Sequence, residues 1–335
     1  MSIRIGLAGC GSHALGRILP LLEQNHALQL VAAWTRNTDT QMLLRERGIA
    51  GVTGNFEQFL AMDMDVVYIA SPTGCHFGHA AAVLRSGRHA WVEKPLASCI
   101  EDVRELVALA EHGNCMLAEA FMFPWHAQAA AIRQTLTQNP PGAPRKLSLT
   151  FCFPHLQPDN VRYDPALGGG AFLDHACYLV KALDTWFAGS WDFLGGCIEQ
   201  GEYAVDIGGA ALLRRASDGL VANLAWGFGH SYVNEMQLIG THGRMLVESV
   251  FTKPANRSCN ILIEDDRGEQ TTLTVPVENP YAVMLNGFAG QLGNPACWPA
   301  LRQEILVQAE HLFALLEQLK QADPGTLIRV RSHAQ

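Results

Sequence analysis

The sequence lacks the patterns that mark several classes of protein. No apolar run is long enough to span a membrane, and the first residues show no apolar core or cleavage site of a secretory signal. The nine cysteines include no Cys-x-x-Cys pair, which favours thiols in a reducing compartment over a disulfide framework. We therefore expect a cytoplasmic protein with no membrane partner.

Basic runs and metal motifs are also missing. The 24 Lys and Arg residues are outnumbered by 32 Asp and Glu residues, which gives a net charge of −8, and they form no stretch that would follow a phosphate backbone. Nucleic acid is therefore not expected as a partner. His76 and His79 lie three residues apart, but no third ligand accompanies them, so we predict no metal site.

The length and patterning predict two domains. With 335 residues, the chain exceeds the ~150 residues typical of one domain. In the first ~120 residues, short apolar runs alternate with helical periodicity, as in a doubly wound parallel sheet covered by helices. The predicted strands are Ile3–Ala8, Leu28–Trp34, Val66–Ala70, Ala90–Val92 and Met116–Ala118, and the predicted helices are Leu15–Gln24, Thr38–Arg47, Phe77–Ser86 and Ile100–Glu111. Pro20 should bend the first helix.

After Pro124 the pattern changes to strands separated by Gly, Asp and Asn turns, which predicts a large, mostly antiparallel open sheet. The predicted strands are Leu147–Phe153, Gly209–Arg214, Val221–Phe228, Glu235–Gly240, Arg244–Glu248 and Asn260–Glu264. Two helices are predicted with them, Phe172–Phe187 and Leu301–Gln321. The second half is thus an α+β domain.

The loop after the first strand has the form of a dinucleotide fingerprint. Gly9 permits a tight turn, Gly11 lets a pyrophosphate approach the backbone, and Ala14 lets helix and strand pack closely. Ser12 and His13 complete the loop, and the helix that it opens favours an anion at its N-terminus. A glycine turn without a ligand is the alternative. We predict an NAD(P)-binding Rossmann domain over residues 1–121 and a substrate-binding and oligomerisation domain over residues 122–335.

The end of the second strand bears on the choice of cofactor. Thr35 and Arg36 stand where an NAD-selective site would carry an acid for the ribose 2′-hydroxyl. A hydroxyl and a guanidinium suit a 2′-phosphate, so we predict NADP(H), with NAD as the alternative. In that alternative Arg36 is a solvent-facing turn residue.

Five segments together resemble the glucose–fructose oxidoreductase / inositol dehydrogenase / MocA family of sugar oxidoreductases. They are Gly9–Ala14, Ser71-Pro72-Thr73 with His76, Glu93-Lys94-Pro95, Glu119–Met122 and Gly168–Tyr178. The resemblance implies that Lys94 projects into the cofactor cleft and that Asp174 and Tyr178 complete the catalytic set. It also implies that the cofactor contacts Ser71, Pro72, Thr73, His76 and Glu93.

The chemistry of hydride transfer suits these residue types. Hydride leaving the nicotinamide places charge on the substrate oxygen, which then needs a proton donor within hydrogen-bond reach. Tyr178 can donate that proton, Lys94 can stabilise the alkoxide, and Asp174 can orient the sugar hydroxyls or the lysine. Each of these residues could also have a purely structural role. The alternatives are a surface turn for Glu93-Lys94-Pro95, a helix residue for Asp174, a core aromatic for Tyr178, and helix caps for Thr73 and His76.

The predicted substrate is a sugar or sugar derivative with a secondary alcohol or ketone. The segment Trp226–Tyr232 with Asn234 resembles hexose ketoreductases, including those acting on nucleotide-linked sugars, and we assign Tyr232 to substrate binding. Relatives often carry arginines where this chain has Pro124 and Ser249, which favours a smaller or less anionic substrate. Arg162 and Lys253 are the remaining candidate anion contacts, with exposed turn charges as the alternative.

Four further points stay open on the sequence alone. Besides a sugar oxidoreductase, the protein could be a reductase of cyclic imines or trans-dihydrodiols, which related folds host. A third possible function is that of a non-catalytic dinucleotide sensor. An open sheet face favours a homodimer or homotetramer. Tyr281 either returns to the cofactor cleft, as its counterparts do in the family, or packs in the core.

Overall fold

The computed structural model describes residues 2–138, 141–322 and 328–329. The chain forms two units, Met1–Phe121 with Tyr281–Ala309 and Met122–Pro280 with Glu310–Gln335. Residues 281–309 therefore pack with the first unit, whereas the sequence-based division assigns them to the second domain. The boundary at residues 121 and 122 stays a prediction for the functional domains.

The first unit contains six parallel strands: β1 (Ile3–Ala8), β2 (Leu28–Trp34), β3 (Gly51–Thr53), β4 (Val66–Ile69), β5 (His89–Val92) and β6 (Leu117–Glu119). Their order is β3-β2-β1-β4-β5-β6. Every residue of β4 is buried, as expected for a strand covered by helices on both faces. The order reverses between β1 and β4, and the carboxyl ends of strands at such a point border the crevice in which these sheets bind ligands.

Helices connect these strands: α1 (Leu19–Gln24), α2 (Thr38–Glu46), α3 (Phe56–Leu60), α4 (Thr73–Arg85) and α5 (Ile100–His112). The pattern of α5 shows why such segments fold onto the sheet. Its buried residues Val103, Leu106, Val107 and Ala110 lie at helical spacing on one face. The carboxylates of Glu101 and Asp102 in its first turn stabilise the helix by interacting with the positive end of its dipole.

The first predicted helix differs from its expected form because it begins as a π segment, Ala14–Ile18, before α1. Pro20 is the second residue of α1, and the π segment runs directly into this helix, with Leu19 N donating to Ala14 O. The change from π to α geometry therefore accommodates the proline that the sequence places inside the helix.

The second unit contains β7 (Pro144–Phe153), β8 (Trp191–Gln200), β9 (Asp206–Arg215), β10 (Val221–Phe228), β11 (Val233–Gly240), β12 (Gly243–Glu248), β13 (Cys259–Asp265) and β14 (Gln270–Val275). Together with the short β15 (Ile328–Arg329) they form one sheet in the order β14-β13-β12-β11-β7-β10-β9-β8-β15. The pairs β7–β10 and β8–β15 are parallel and the others are antiparallel. The predicted fold class, a parallel Rossmann sheet and a mostly antiparallel second sheet, is confirmed.

Helices α6 (Ala127–Gln138) and α7 (Cys177–Trp186) belong to this second unit, and α7 is preceded by a second π segment, Phe172–Ala176. Two later helices follow in the chain, α8 (Pro280–Leu292) and α9 (Trp298–Ala322). No helix in the described ranges is both long and apolar enough to cross a membrane.

Seven of the described strands and α-helices were missed by the sequence patterns: β3, β8, β14, β15, α3, α6 and α8. Five of the six residues of β14 are exposed, so this strand has no apolar alternation to reveal it. The sequence of β8 is interrupted by Gly195 and Gly196, which read as a turn. Both strands form because their neighbours in the sheet pair with them, a tertiary effect.

Candidate functional site

The loop after β1 has the geometry that a dinucleotide requires. Gly9 has a φ of +88°, and a Cβ at this position would lie 2.5 Å from the backbone nitrogen of Ser71. Only glycine fits there. A Cβ on Gly11 would instead meet no atom within 4 Å, so space remains next to the backbone where the pyrophosphate is predicted. Ser12 and His13 are exposed and Ala14 is buried, as the predicted loop requires.

The two residues at the end of β2 that were predicted to select the cofactor, Thr35 and Arg36, differ in exposure. Thr35 is buried, and its hydroxyl oxygen accepts a hydrogen bond from Asn37 N at 3.3 Å. Its carbonyl oxygen accepts a second bond from Gln41 Nε2 at 2.9 Å. Thr35 therefore holds the turn, whereas Arg36 is exposed to solvent.

An aromatic cluster lies beside this turn that the sequence analysis missed. The ring of His79 lies 4.8 Å from that of Trp34 and 4.7 Å from that of Phe56, and its Nδ1 is 2.9 Å from the hydroxyl oxygen of Ser71. Burial lowers the pKa of His79 to about 4, and the charges of His76 and Arg36 act in the same direction. His79 is therefore neutral near pH 7.

Glu93 is the centre of a polar network in the first unit. Its Oε1 accepts a 2.6 Å hydrogen bond from the Tyr68 hydroxyl and lies 3.0 Å from His13 Nε2. Burial acts to raise the pKa of Glu93, but His13, the Tyr68 hydrogen bond and Lys94 outweigh it and the pKa is lowered. The carboxylate therefore stays ionised. Tyr281 lies edge-on to His13 at a ring distance of 5.5 Å, which places it beside the predicted cofactor loop.

The loops after β4 and β5 carry the next predicted residues. Pro72 is the N-cap of α4, and neither Thr73 nor His76 makes a side-chain cap, so the capping interpretation of these residues is wrong. His76 lies between the carbonyl oxygens of Ser71 and Pro95.

Lys94 follows the end of β5, and the Lys94–Pro95 peptide is cis. Glu119 Oε1 accepts a 2.8 Å hydrogen bond from Leu96 N. Glu119, which lies 23 residues from Leu96 in the sequence, thus holds the loop that follows Lys94.

In the second unit, three glycines build the entry to the second π segment. Gly168 and Gly170 have φ values of +73° and +116°. A Cβ on Gly169 would lie 2.5 Å from the carbonyl oxygen of Arg162, and Gly170 N donates to the same oxygen at 2.9 Å. The glycines therefore let this turn pack directly against the backbone of residues 162–164.

Asp206 anchors the start of this π segment and was not predicted from the sequence. Its Oδ2 accepts a 2.6 Å hydrogen bond from Phe172 N, and a Cβ on Gly170 would lie 2.3 Å from its Oδ1. Burial raises the pKa of Asp206 to about 6, although backbone hydrogen bonds from Phe172 and Ala171 oppose the shift. The only sequence sign was a lone acid between Val205 and Ile207, which are both buried.

Asp174 lies inside the π segment, a helix form that is frequent at functional sites. Its side chain is 17% exposed, and its Oδ2 accepts a 2.6 Å hydrogen bond from Arg162 Nε. Arg162 was predicted as a substrate contact. The structure shows it bound to Asp174, and its contact with a substrate stays a prediction.

Tyr178 lies one turn further along, on α7, and is 5% exposed. Its ring packs 5.2 Å from that of Phe151 and 6.0 Å from that of Phe251, and its hydroxyl donates to Met122 Sδ at 3.8 Å. Asp174 and Tyr178 are thus carried by one continuous helix. Lys94 belongs to the other unit, so the convergence of the three side chains stays a prediction.

The two remaining substrate candidates differ in exposure. Tyr232 is exposed, and its hydroxyl lies 3.2 Å from Thr252 Oγ1 and accepts from Asn234 Nδ2 at 3.1 Å. Lys253 is only 7% exposed, and its Nζ donates to Val250 O at 2.7 Å. Tyr232 is therefore held in an orientation open to a ligand, whereas the exposed-charge interpretation of Lys253 is wrong.

Comparison with known proteins agrees with the motifs. A family model described as "Oxidoreductase family, NAD-binding Rossmann fold" matches residues 3–121, and the GFO/IDH/MocA C-terminal domain matches residues 129–246. The dTDP-3,4-didehydro-2,6-dideoxy-alpha-D-glucose 3-reductase of Saccharopolyspora spinosa is 32% identical over 289 residues, which are 86% of each chain. The enzyme of the same name from Actinomadura kijaniata is 31% identical over 315 residues, 92% of this chain and 94% of its own.

A solved structure is similar as well. The 3-ketoreductase from Actinomadura kijaniata in complex with NADP and TDP-benzene matches with a TM-score of 0.89 and 27% identity, over 99% of each chain. The two family models together cover more than half of the sequence. This chain is therefore a member of the GFO/IDH/MocA family of oxidoreductases.

Proposed function

We propose that this chain transfers a hydride between NADP(H) and a ketone or secondary alcohol of a sugar, and that the sugar is linked to a nucleotide. The observation that carries the proposal is the identity of 31–32% with two dTDP-sugar 3-reductases over most of each chain. The similar ketoreductase structure contains NADP and TDP-benzene, a cofactor and a ligand of the proposed classes.

The residues of the first unit fit NADP. The space beside Gly11 accommodates a pyrophosphate, and the exposed guanidinium of Arg36 suits the 2′-phosphate. When bound, the nicotinamide supplies or accepts the hydride. Ser71, Pro72, Thr73, His76 and Glu93 would form the wall of the cofactor site, with Glu93 ionised beside His13.

The proposed proton chemistry uses one residue from the first unit and two from the second. Tyr178 donates the proton to the substrate oxygen during reduction, and the Lys94 ammonium stabilises the developing alkoxide. Asp174, oriented by Arg162, holds a sugar hydroxyl or the ammonium of Lys94. Structures of the similar ketoreductase include a tyrosine-to-phenylalanine variant and a lysine-to-alanine variant, the two residue types assigned to this chemistry here.

A sugar without a nucleotide is the second candidate, and a specific observation favours it. Of the two cations that the sequence offered for a diphosphate, Arg162 is bound to Asp174 and Lys253 is buried. The family resemblance also leads us to expect arginines at the positions that Pro124 and Ser249 occupy. A diphosphate would then have to be held by other groups, with Tyr232 available to contact the sugar or the base.

An NADPH oxidation assay with a panel of substrates tests both candidates. The panel contains a dTDP-linked 3-keto-hexose, the same sugar unlinked, a cyclic imine, and a trans-dihydrodiol with NADP+. Turnover restricted to the linked sugar supports the proposal, and equal turnover of the unlinked sugar supports the second candidate. Turnover only with the imine or the dihydrodiol contradicts both. NADPH binding without turnover on any member indicates a sensor.

We further propose a cytoplasmic homodimer or homotetramer that associates through the open face of the second sheet. Exposed apolar side chains lie on this face, including Leu212 and Ile239, which the strand register places on the same side of the sheet. Such residues are typical of an interface when they are clustered. Sedimentation of the wild type and of a Leu212→Asp variant tests this. A monomeric wild type would contradict the proposal.

A further inference from the structure

His76 joins two loops of the first unit through its imidazole ring. It lies on α4 with 1% of its surface exposed. Its Nε2 is 2.7 Å from the carbonyl oxygen of Ser71, and its Nδ1 is 2.9 Å from that of Pro95. These carbonyls belong to the loops that follow β4 and β5, so one buried ring contacts both loops of the predicted cofactor site.

The protonation state of His76 follows from these two contacts. A neutral imidazole has one N–H donor and one acceptor nitrogen, whereas a carbonyl oxygen only accepts. With a neutral ring, one of the two carbonyls would face a nitrogen lone pair at hydrogen-bond distance in a buried environment. Such a contact is unfavourable because neither group has a donor. The imidazolium has two N–H groups and satisfies both oxygens.

Charged and titratable groups surround the ring from two elements. Glu93 and Lys94 approach from the loop after β5, and His79 lies one turn further along α4. Burial is the largest influence on the pKa of His76 and lowers it; the two carbonyl oxygens and then Glu93 raise it, Lys94 lowers it, and the net shift is downward. The two contacts at hydrogen-bond distance point the other way, because only the charged ring donates to both oxygens. His79 is neutral, and the ionised Glu93 is a counter-charge.

We propose that His76 is doubly protonated and that this buried positive charge is a positioning element for Lys94. The Nδ1–H group holds the carbonyl of Pro95, the residue bonded to Lys94, and thereby fixes the start of the loop that presents the ammonium. The charge also balances the carboxylate of Glu93, on the other side of Lys94. The role of Lys94 rests on the proposed function, but the protonation of His76 does not.

Nuclear magnetic resonance of protein labelled with 15N in its histidines tests the protonation directly, in the absence of substrate. We expect one buried ring with two protonated nitrogens at pH 7, with a signal that is lost in His76→Gln. The matched control is His79→Gln, which removes a buried histidine from the same helix and should leave that signal in place. If His76→Gln does not fold, nuclear Overhauser contacts to Ser71 and Pro95 assign the signal in the wild type. A neutral ring with one N–H at pH 7 would overturn the proposal.

The pH profile of kcat/KM tests the positioning role. Loss of a positive charge beside Lys94 stabilises the ammonium, so the high-pH limb should move upward by about one pH unit in His76→Gln. We also expect kcat to fall on the order of tenfold while the Kd for NADPH changes much less, because displacement of a reacting group acts on turnover. A proportional loss of kcat and NADPH affinity with an unmoved limb would show a merely structural role. An inactive wild type would refute the proposed function and leave the resonance result intact.

Discussion

Replacement of Asp206 by asparagine should change how the stability of this protein depends on pH. The Asp206 carboxyl accepts the Phe172 N–H at the start of the π segment that carries Asp174. Asparagine has nearly the same shape and retains one oxygen acceptor, but it cannot ionise. The comparison therefore isolates the effect of burying the charge at this position.

The magnitude follows from the pKa of Asp206, which burial raises from 3.8 to about 6. The folded state thus binds the proton more tightly than the unfolded state, so the free energy of unfolding falls as the pH rises through this interval. Each tenfold change in proton affinity corresponds to about 1.4 kcal/mol, which gives about 3 kcal/mol over the full interval. Roughly half of this loss of stability occurs between pH 5 and pH 7.5.

Urea unfolding of the wild type and of Asp206→Asn at several pH values measures this difference. We expect the variant to gain stability relative to the wild type by about 1.5 kcal/mol between pH 5 and pH 7.5. Asp206→Ala is the matched control, because it also lacks the charge but loses the acceptor, which costs about 1 kcal/mol at every pH. A stability difference between wild type and Asp206→Asn that does not vary with pH would refute the argument.

The other predictions concern the cofactor, the reaction and a buried lysine. Arg36→Ala should weaken NADPH binding roughly 10- to 100-fold by the loss of a charged hydrogen bond and leave NADH binding unchanged; fluorescence titration with both cofactors measures this, and equal effects would contradict the role of Arg36. Tyr178→Phe should lower kcat about 100-fold or more with little change in NADPH affinity, and turnover close to wild type would remove the tyrosine from the mechanism. Gly9→Ala should unfold at a lower temperature because the new Cβ would meet the backbone of Ser71, whereas Gly11→Ala should unfold like the wild type and bind NADPH more weakly; the opposite order would contradict the loop assignment. Burial lowers the pKa of Lys253 to about 7, so the folded state loses its proton before the unfolded state and stability rises with pH above 7; Lys253→Met should raise the Tm at pH 7 by more than at pH 9, and a gain independent of pH would indicate packing alone.

Much of the fold was predictable because local patterns and tertiary contacts agree over most of the chain. The runs Ile3–Ala8 and Val221–Phe228 are apolar enough to be recognised as strands, and both have the predicted bounds. The patterns failed where an element is stabilised by its neighbours. The exposed strand β14 carries threonines on a sheet edge, and the helix α8, which begins at Pro280, was not predicted.

The candidate site divides in the same way. The glycine loop, the Glu93-Lys94-Pro95 triplet and the segment ending at Tyr178 were recognisable because their spacing along the chain is itself the signal. Their partners were not, because Asp206 lies 34 residues from Phe172. The same holds for Arg162, whose hydrogen bond to Asp174 joins residues that lie 12 apart in the sequence.

The amino-acid sequence alone determined the family, the class of chemistry and the alternation of strands and helices, since these depend on residue types at short and regular spacings. The tertiary structure decided which polar groups are paired and which are buried, and therefore which of them stay charged. Burial and pairing depend on groups that only folding brings together, so Lys253, His79 and Asp206 acquire shifted proton affinities that no local pattern contains.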